Sequence, residues 1–209
     1  MPQDAVVLHC KTVKTLSWES LADAWTPPSE EASALPSVES LHLAYVERFD
    51  TFRDPERAAR VQAAIREVSE RATREVPTFA GLCEVMGIVL EQDAVGFRQE
   101  PAYANARMEV YGSDPRLEPA LVKLLTGIVA KDWHPLLKAC RCYLEVRFFH
   151  PFAEANSAAA RLVFQWALQR EGVRIAELTP LFRQPIAPGN EEHYRAFLER
   201  AGLLLTPQT

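Results

Sequence analysis

The chain has 209 residues, 48% of them apolar and 24% charged, with 23 basic against 28 acidic side chains and a formal net charge of -5. That length supports one domain that buries its own core without a metal or disulfide staple. The acidic balance predicts no nucleic-acid partner, because phosphate neutralisation needs clustered Lys and Arg.

The longest apolar runs, Met86 to Leu90 and Leu121 to Ala130, fall short of the about 20 residues that span a bilayer, so no membrane partner is expected. Met1 to Cys10 lacks the basic and apolar regions of a signal peptide. The expected location is cytoplasmic, or outside the cell as an effector exported without that signal. Cys10, Cys83, Cys140 and Cys142 show no CxxC spacing and read as reduced thiols.

In chain order, Ala5 to Cys10 reads as a strand and Trp18 to Trp25 as a short amphipathic piece, followed by the breaker-rich Thr26-Pro27-Pro28-Ser29. Residues 1–35 are therefore expected to form an N-terminal extension packed on a main domain over 36–209. Val38, Leu41, Tyr45 and Phe49 recur at helical spacing. Asp54-Pro55-Glu56 is a helix start, with an N-cap carboxylate, proline at the first position and an acidic first turn. The mixed charges from Arg57 to Arg74 predict a solvated helix face with a thin apolar stripe.

Phe79 to Gln92 is apolar at helical spacing, and Gly96 breaks the pattern. Between Phe97 and Ser113 lie β-branched and aromatic residues flanked by turn formers, which predicts a small hairpin. Helices are expected over Leu117 to Ala130, Trp133 to Phe149, Asn156 to Glu171 and Asn190 to Leu204, with Gly172 at a helix C-terminus. Six or seven helices, one small β element and no βαβ rhythm predict a mainly α single domain.

The chemistry is concentrated in Phe148-Phe149-His150-Pro151-Phe152-Ala153-Glu154-Ala155-Asn156-Ser157-Ala158-Ala159-Ala160-Arg161. Pro151 ends one apolar helix after His150, and a second begins near Asn156. The polar residues between them are displayed at helix ends, and the second helix presents free backbone N–H groups that suit an anion. Arg161 would add a cation, Glu154 would hold a divalent ion beside a phosphate, and His150 has the type of a general base. The same residues also fit a plain helix junction, with Glu154 solvated, Asn156 capping and Arg161 in a surface ion pair.

The stretch resembles the signature of the Fic/Doc (Fido) family, His-x-Phe-x-(Asp/Glu)-(Gly/Ala)-Asn-(Gly/Lys)-Arg-x-x-Arg. His150, Phe152, Glu154, Ala155, Asn156 and Arg161 match in order and spacing; Ser157 and Ala158 depart from it. Ala94 to Arg98 resembles the segment before the family's flap, with Val95 where glycine is usual. The predicted hairpin over 101–113 lies at the flap itself, and Tyr194 is similar to a tyrosine of the family's C-terminal helix.

The resemblance implies a Fic-like helical domain with a small β-hairpin flap. It also implies transfer of a nucleotidyl or other phosphate-containing group, most often AMP from ATP, to a hydroxyl of a protein or small-molecule target. Carried over, His150 takes the proton of the attacking hydroxyl, Phe152 anchors the loop, and Glu154 holds Mg²⁺. Ala155, Asn156, Ser157 and Ala158 cradle phosphate and Arg161 reaches the terminal phosphate, while Tyr103, Met108 and Val110 of the flap dock the target. The arginine absent at 158 would have contacted the nucleotide phosphates, and one such charge-assisted bond is worth about 1.5 to 3 kcal/mol. Two expectations follow: a divergent transferase with an altered donor, or a Fic-like pseudoenzyme kept as a regulatory or interaction module.

Thr15-Leu16-Ser17-Trp18-Glu19-Ser20 is the nearest match to the family's inhibitory motif, and Glu19 reads better as a solvated helix residue. His9, His42, His134 and His193 lack metal-ligand spacing and read as structural or surface residues.

Overall fold

The computed structural model describes residues 6–8, 18–24, 35–104, 109–187 and 190–205. The motif's two flanking helices form its centre. Helix α6 (Pro135–Phe149) and helix α7 (Asn156–Arg170) pack most extensively on each other, and every residue of α7 from Ala158 to Leu168 is buried. A helix apolar nearly all round has to be enclosed by others. Around the pair stand α2 (Val38–Phe49), α3 (Pro55–Ala72), α4 (Phe79–Leu90), α5 (Leu117–Val129) and α9 (Glu191–Leu203). The short α1 (Trp18–Ala24) and α8 (Thr179–Phe182) complete the helices among the described residues.

The caps explain several boundaries. Asp54 accepts from the Arg57 backbone N–H at 2.9 Å, with Pro55 at the first helical position, as the sequence predicts. Thr78 caps α4 and Asn190 caps α9 in the same way. Helix α4 stops at Leu90 because Glu91 turns left-handed, φ 54°, so the break precedes Gly96. Gly172, φ 69°, follows α7 where a left-handed residue is required.

On α2 the buried stripe is Val38, His42, Tyr45 and Val46, with Leu41 and Phe49 only partly covered. The expected stripe is shifted because His42 is fully buried against α7, its Nδ1 2.6 Å from Gln165 Oε1. Gln165 in turn donates to the Ile65 carbonyl at 3.0 Å and shares bonds with Ser69 and Gln169. Nδ1 donates to Gln165, which lowers the cost of burying the ring, while His42 Nε2 is buried with no hydrogen-bond partner among the described residues.

The hairpin is present: β2 (Ala102–Ala104) pairs antiparallel with β3 (Glu109–Tyr111), Tyr103 opposite Val110. Strand β1 (Val6–Leu8) adds to the other edge of β3 in parallel, giving the order β1-β3-β2. Trp18 on α1 is buried with the main core. Cys140 and Cys142 are buried free thiols and Cys83 is half-buried; burial pushes the Cys83 thiol up to about 11 and that of Cys142 to about 12. No helix among the described residues is long and apolar enough to cross a membrane.

Candidate functional site

The loop 150–155 leaves α6 and enters α7 through two left-handed residues, His150 at φ 48° and Ala155 at φ 58°. Such conformations cost non-glycine residues of the order of 1 to 3 kcal/mol and persist where the surroundings fix them. Here the fixing contacts are explicit. Asn156 Oδ1 accepts from the Phe152 N–H at 2.9 Å, and Asn156 Nδ2 donates to the Phe152 carbonyl at 2.8 Å. The Phe152 ring is buried and stacks on Phe79 at 6.0 Å between centroids. From the other side Arg98 donates through Nε to the His150 carbonyl at 2.5 Å, and its backbone N–H donates to the Pro151 carbonyl at 2.8 Å. The same guanidinium reaches the Glu100 and Gly112 carbonyls, both at 2.9 Å, so one side chain ties the loop to the root of the hairpin.

The loop, the hairpin and the last turn of α6 enclose a cleft of about 330 Å³, lined by His150, Glu154, Asn156, Ser157, Arg147, Tyr103 and Glu109 among others. His150 Nδ1 lies 2.9 Å from the Arg147 carbonyl oxygen. A carbonyl only accepts, so Nδ1 carries the proton and Nε2 of the neutral ring holds the lone pair. The ring stacks on Tyr111 at 3.8 Å, and burial pushes its pKa down to about 4, so it is neutral at physiological pH. Nearby Arg98 and Arg147 act in the same direction, while the bond to the Arg147 carbonyl and the charge of Glu109 oppose it.

The other residues singled out from the sequence divide. Glu154 is exposed at the mouth and pairs with Arg57 of α3 at 2.5 Å. Ala155 caps α7 through its backbone, and Ser157 is exposed on the first turn. The Asn156 amide, expected to cradle phosphate, is committed to Phe152. Ala158 places its methyl group in the hydrophobic core.

Arg161, expected at a terminal phosphate, is buried instead. Its Nη2 lies 2.6 Å from Asp50 Oδ2 and its guanidinium carbon 5.0 Å from the Tyr45 ring centroid. Asp50, at the C-terminus of α2, supplies a charge-assisted bond in an aromatic setting that holds the cation away from the cleft.

Tyr103 is 46% exposed on β2, Val110 is buried on β3, and Met108 lies outside the described residues. Tyr194 is fully buried against Phe148. Glu19 is an exposed residue of α1, 3.4 Å from Lys131; residues 15–17 of the suspected inhibitory motif lie outside the described residues.

Three residues that contact the loop or the cleft lie outside the motif. Arg147 lines the cleft, Tyr111 covers the His150 ring, and Arg57 holds Glu154. Arg147 sits one turn before His150, the signal that was there to be read. Tyr111 and Arg57 come from distant segments.

Among solved structures, the chain is similar to a Fic domain containing signaling protein from Bacteroides thetaiotaomicron VPI-5482, with a TM-score of 0.56 and 16% identity. The likeness covers 92% of this chain and 93% of that one. No family model and no curated protein matches the sequence. At this identity the likeness establishes a Fic-like fold, mainly helical with a small sheet.

Proposed function

We propose that this chain is a divergent Fic-type transferase that moves a nucleotidyl or another phosphate-containing group from a donor to a hydroxyl of a protein or small-molecule target. The observation that carries the reading is the tautomer of His150: a neutral imidazole with Nε2 as acceptor, in a cleft beside the N-terminus of α7. In the proposed step Nε2 accepts the hydroxyl proton as that oxygen bonds to phosphorus, and the bond from phosphorus to the leaving group breaks with its electron pair on the leaving group. The left-handed turns and the Asn156 clasp hold the loop rigid, so the base needs no rearrangement at the moment of reaction.

The donor set suits Mg²⁺. Glu154 offers a hard carboxylate oxygen at an open mouth, and this ion needs only one or two carboxylates beside water and phosphate oxygens. No group of three His, Cys, Asp or Glu among the described residues would hold a metal alone. A bound Mg²⁺ would neutralise phosphate charge. Arg57 would have to yield part of its hold on Glu154.

The second reading, a Fic-like module without transfer activity, draws on the Ala158 methyl in the core and on Arg161 held by Asp50. The test incubates the full chain with labelled ATP, other labelled nucleotides and CDP-linked donors in cell lysate. Transfer predicts labelling that His150→Ala abolishes. Labelling unchanged by His150→Ala sinks the transferase assignment, and absence of labelling with every donor supports the module.

A further inference from the structure

We propose that Arg147 is the anion-binding residue of this cleft and that it sets donor specificity, selecting a single phosphate group over a triphosphate chain. The inference rests on the transferase reading for the fate of that phosphate, but not for its binding.

The arginines around the loop have distinct commitments. Arg98 serves the carbonyls of His150, Glu100 and Gly112; Arg57 holds Glu154 and lies 3.5 Å from Asp54; Arg161 is paired with Asp50. Arg147 differs. It lines the cleft, and its Nη1 donates to the Tyr143 hydroxyl at 2.9 Å. Among the described residues no carboxylate is paired with it, although Glu109 and Glu154 line the same cleft. A guanidinium carries five N–H donors in a planar fork that matches phosphate oxygens, and one bond to Tyr143 orients the fork without exhausting it.

Charge decides the class of ligand. The cleft brings together Arg147, a Glu154 already paired with Arg57, and a neutral His150, with Ala158 turned into the core where a second cation would be needed. A triphosphate chain would leave most of its charge without a cation among the described residues once that one guanidinium is matched, because Arg57 is already held by Glu154. A monophosphate ester or phosphodiester needs only the one cation, with the α7 N-terminus behind it. Arg147 also joins binding to chemistry, because its carbonyl fixes the His150 tautomer.

The experiment is calorimetric titration of the full chain with AMP, ADP and ATP in chelator, repeated with Mg²⁺. In chelator the expected order is AMP tighter than ADP and ADP tighter than ATP. Arg147→Gln should weaken AMP by about 10-fold or more, the fold-change of one lost charge-assisted bond. Arg147→Lys should recover part of it, and Tyr143→Phe, which keeps the charge, should lose less than Arg147→Gln. Thermal melting of each variant checks folding, and if Arg147→Gln does not fold, the Arg147→Lys and Tyr143→Phe comparison decides. Unchanged AMP affinity in folded Arg147→Gln, no AMP binding by the unsubstituted chain, or ATP bound more tightly than AMP in chelator overturns the proposal. The two readings fail separately. Arg147-dependent binding without His150-dependent labelling removes the transferase alone, and the converse removes the Arg147 assignment alone.

Discussion

The rings of His150 and Tyr111 stack face to face, centroids 3.8 Å apart and planes within 11°. Tyr111 is the last residue of β3, so the hairpin itself covers the base. Burial is the first cause of the low His150 pKa, about 4, among the charges of Arg98, Glu109 and Arg147 that face it. Tyr111→Ala should open the ring to water and raise that pKa toward the ordinary 6.5, by a unit or more, read from the imidazole resonances in an NMR titration. Tyr111→Leu, which keeps apolar cover, should move it less. A value still near 4 in Tyr111→Ala would place the desolvation elsewhere.

Arg98 connects four points of backbone. Arg98→Met leaves the His150, Glu100 and Gly112 carbonyls without their donor, and losing bonds to a charged group costs about 1.5 to 3 kcal/mol each before relaxation. Urea unfolding should show a loss of at least about 2 kcal/mol, with Arg98→Lys recovering little because one ammonium lacks the fork. An unchanged midpoint would mean that water replaces the guanidinium at no cost.

Acid should destabilise the fold through histidine. His42 is held near 3 by burial first and Arg161 second, and His150 near 4, while both titrate near 6.5 when unfolded. Between pH 6.5 and 4.5 the unfolded chain therefore binds two protons that the native one refuses, and this contribution to stability is lost as pH falls. Glu145 opposes them, since burial raises it to about 7 against the attraction of Arg141, so its native form takes up a proton first. The balance of these three is one proton, a fall of about 1.4 kcal/mol per pH unit on acidification. Denaturant midpoints that stay flat or rise from pH 6.5 to 4.5 would contradict it.

Gly81 shows where packing overrides propensity. A Cβ there would lie 2.8 Å from Trp166 Cη2 and 3.2 Å from Thr78 Oγ1, and Trp166 is fully buried with its Nε1 bonded to the Glu75 carbonyl at 3.0 Å. Alanine gains up to about 1 kcal/mol in helix propensity, but overpacking a fixed core costs about 1 to 3 kcal/mol. Gly81→Ala should lower the melting temperature. Gly96→Ala, with nothing within 4 Å of the added carbon, should leave it unchanged or slightly raised.

The elements were legible because their signals are local. Asp54-Pro55 and Asn190 start helices by capping bonds to residues three positions on, and the alternation of α6, loop and α7 follows from Pro151 and the apolar runs beside it. The order His150, Phe152, Glu154, Asn156 likewise marked the loop between two core helices, since Pro151 cannot continue the first of them.

What each of those residues touches was decided at a distance. Asp50, Arg57, Arg98 and Tyr111 come from four other segments, and they determine that Arg161 is buried, that Glu154 is paired, that the His150 carbonyl is clamped and that one face of its ring is covered. Sequence by itself determined the mainly helical architecture and the position of a candidate base, since propensity and capping act within a few residues. Only the tertiary structure decided which cations face the cleft. Charge pairing and desolvation depend on neighbours brought together by folding, and they turned Arg161 inward to Asp50 while leaving Arg147 at the cleft.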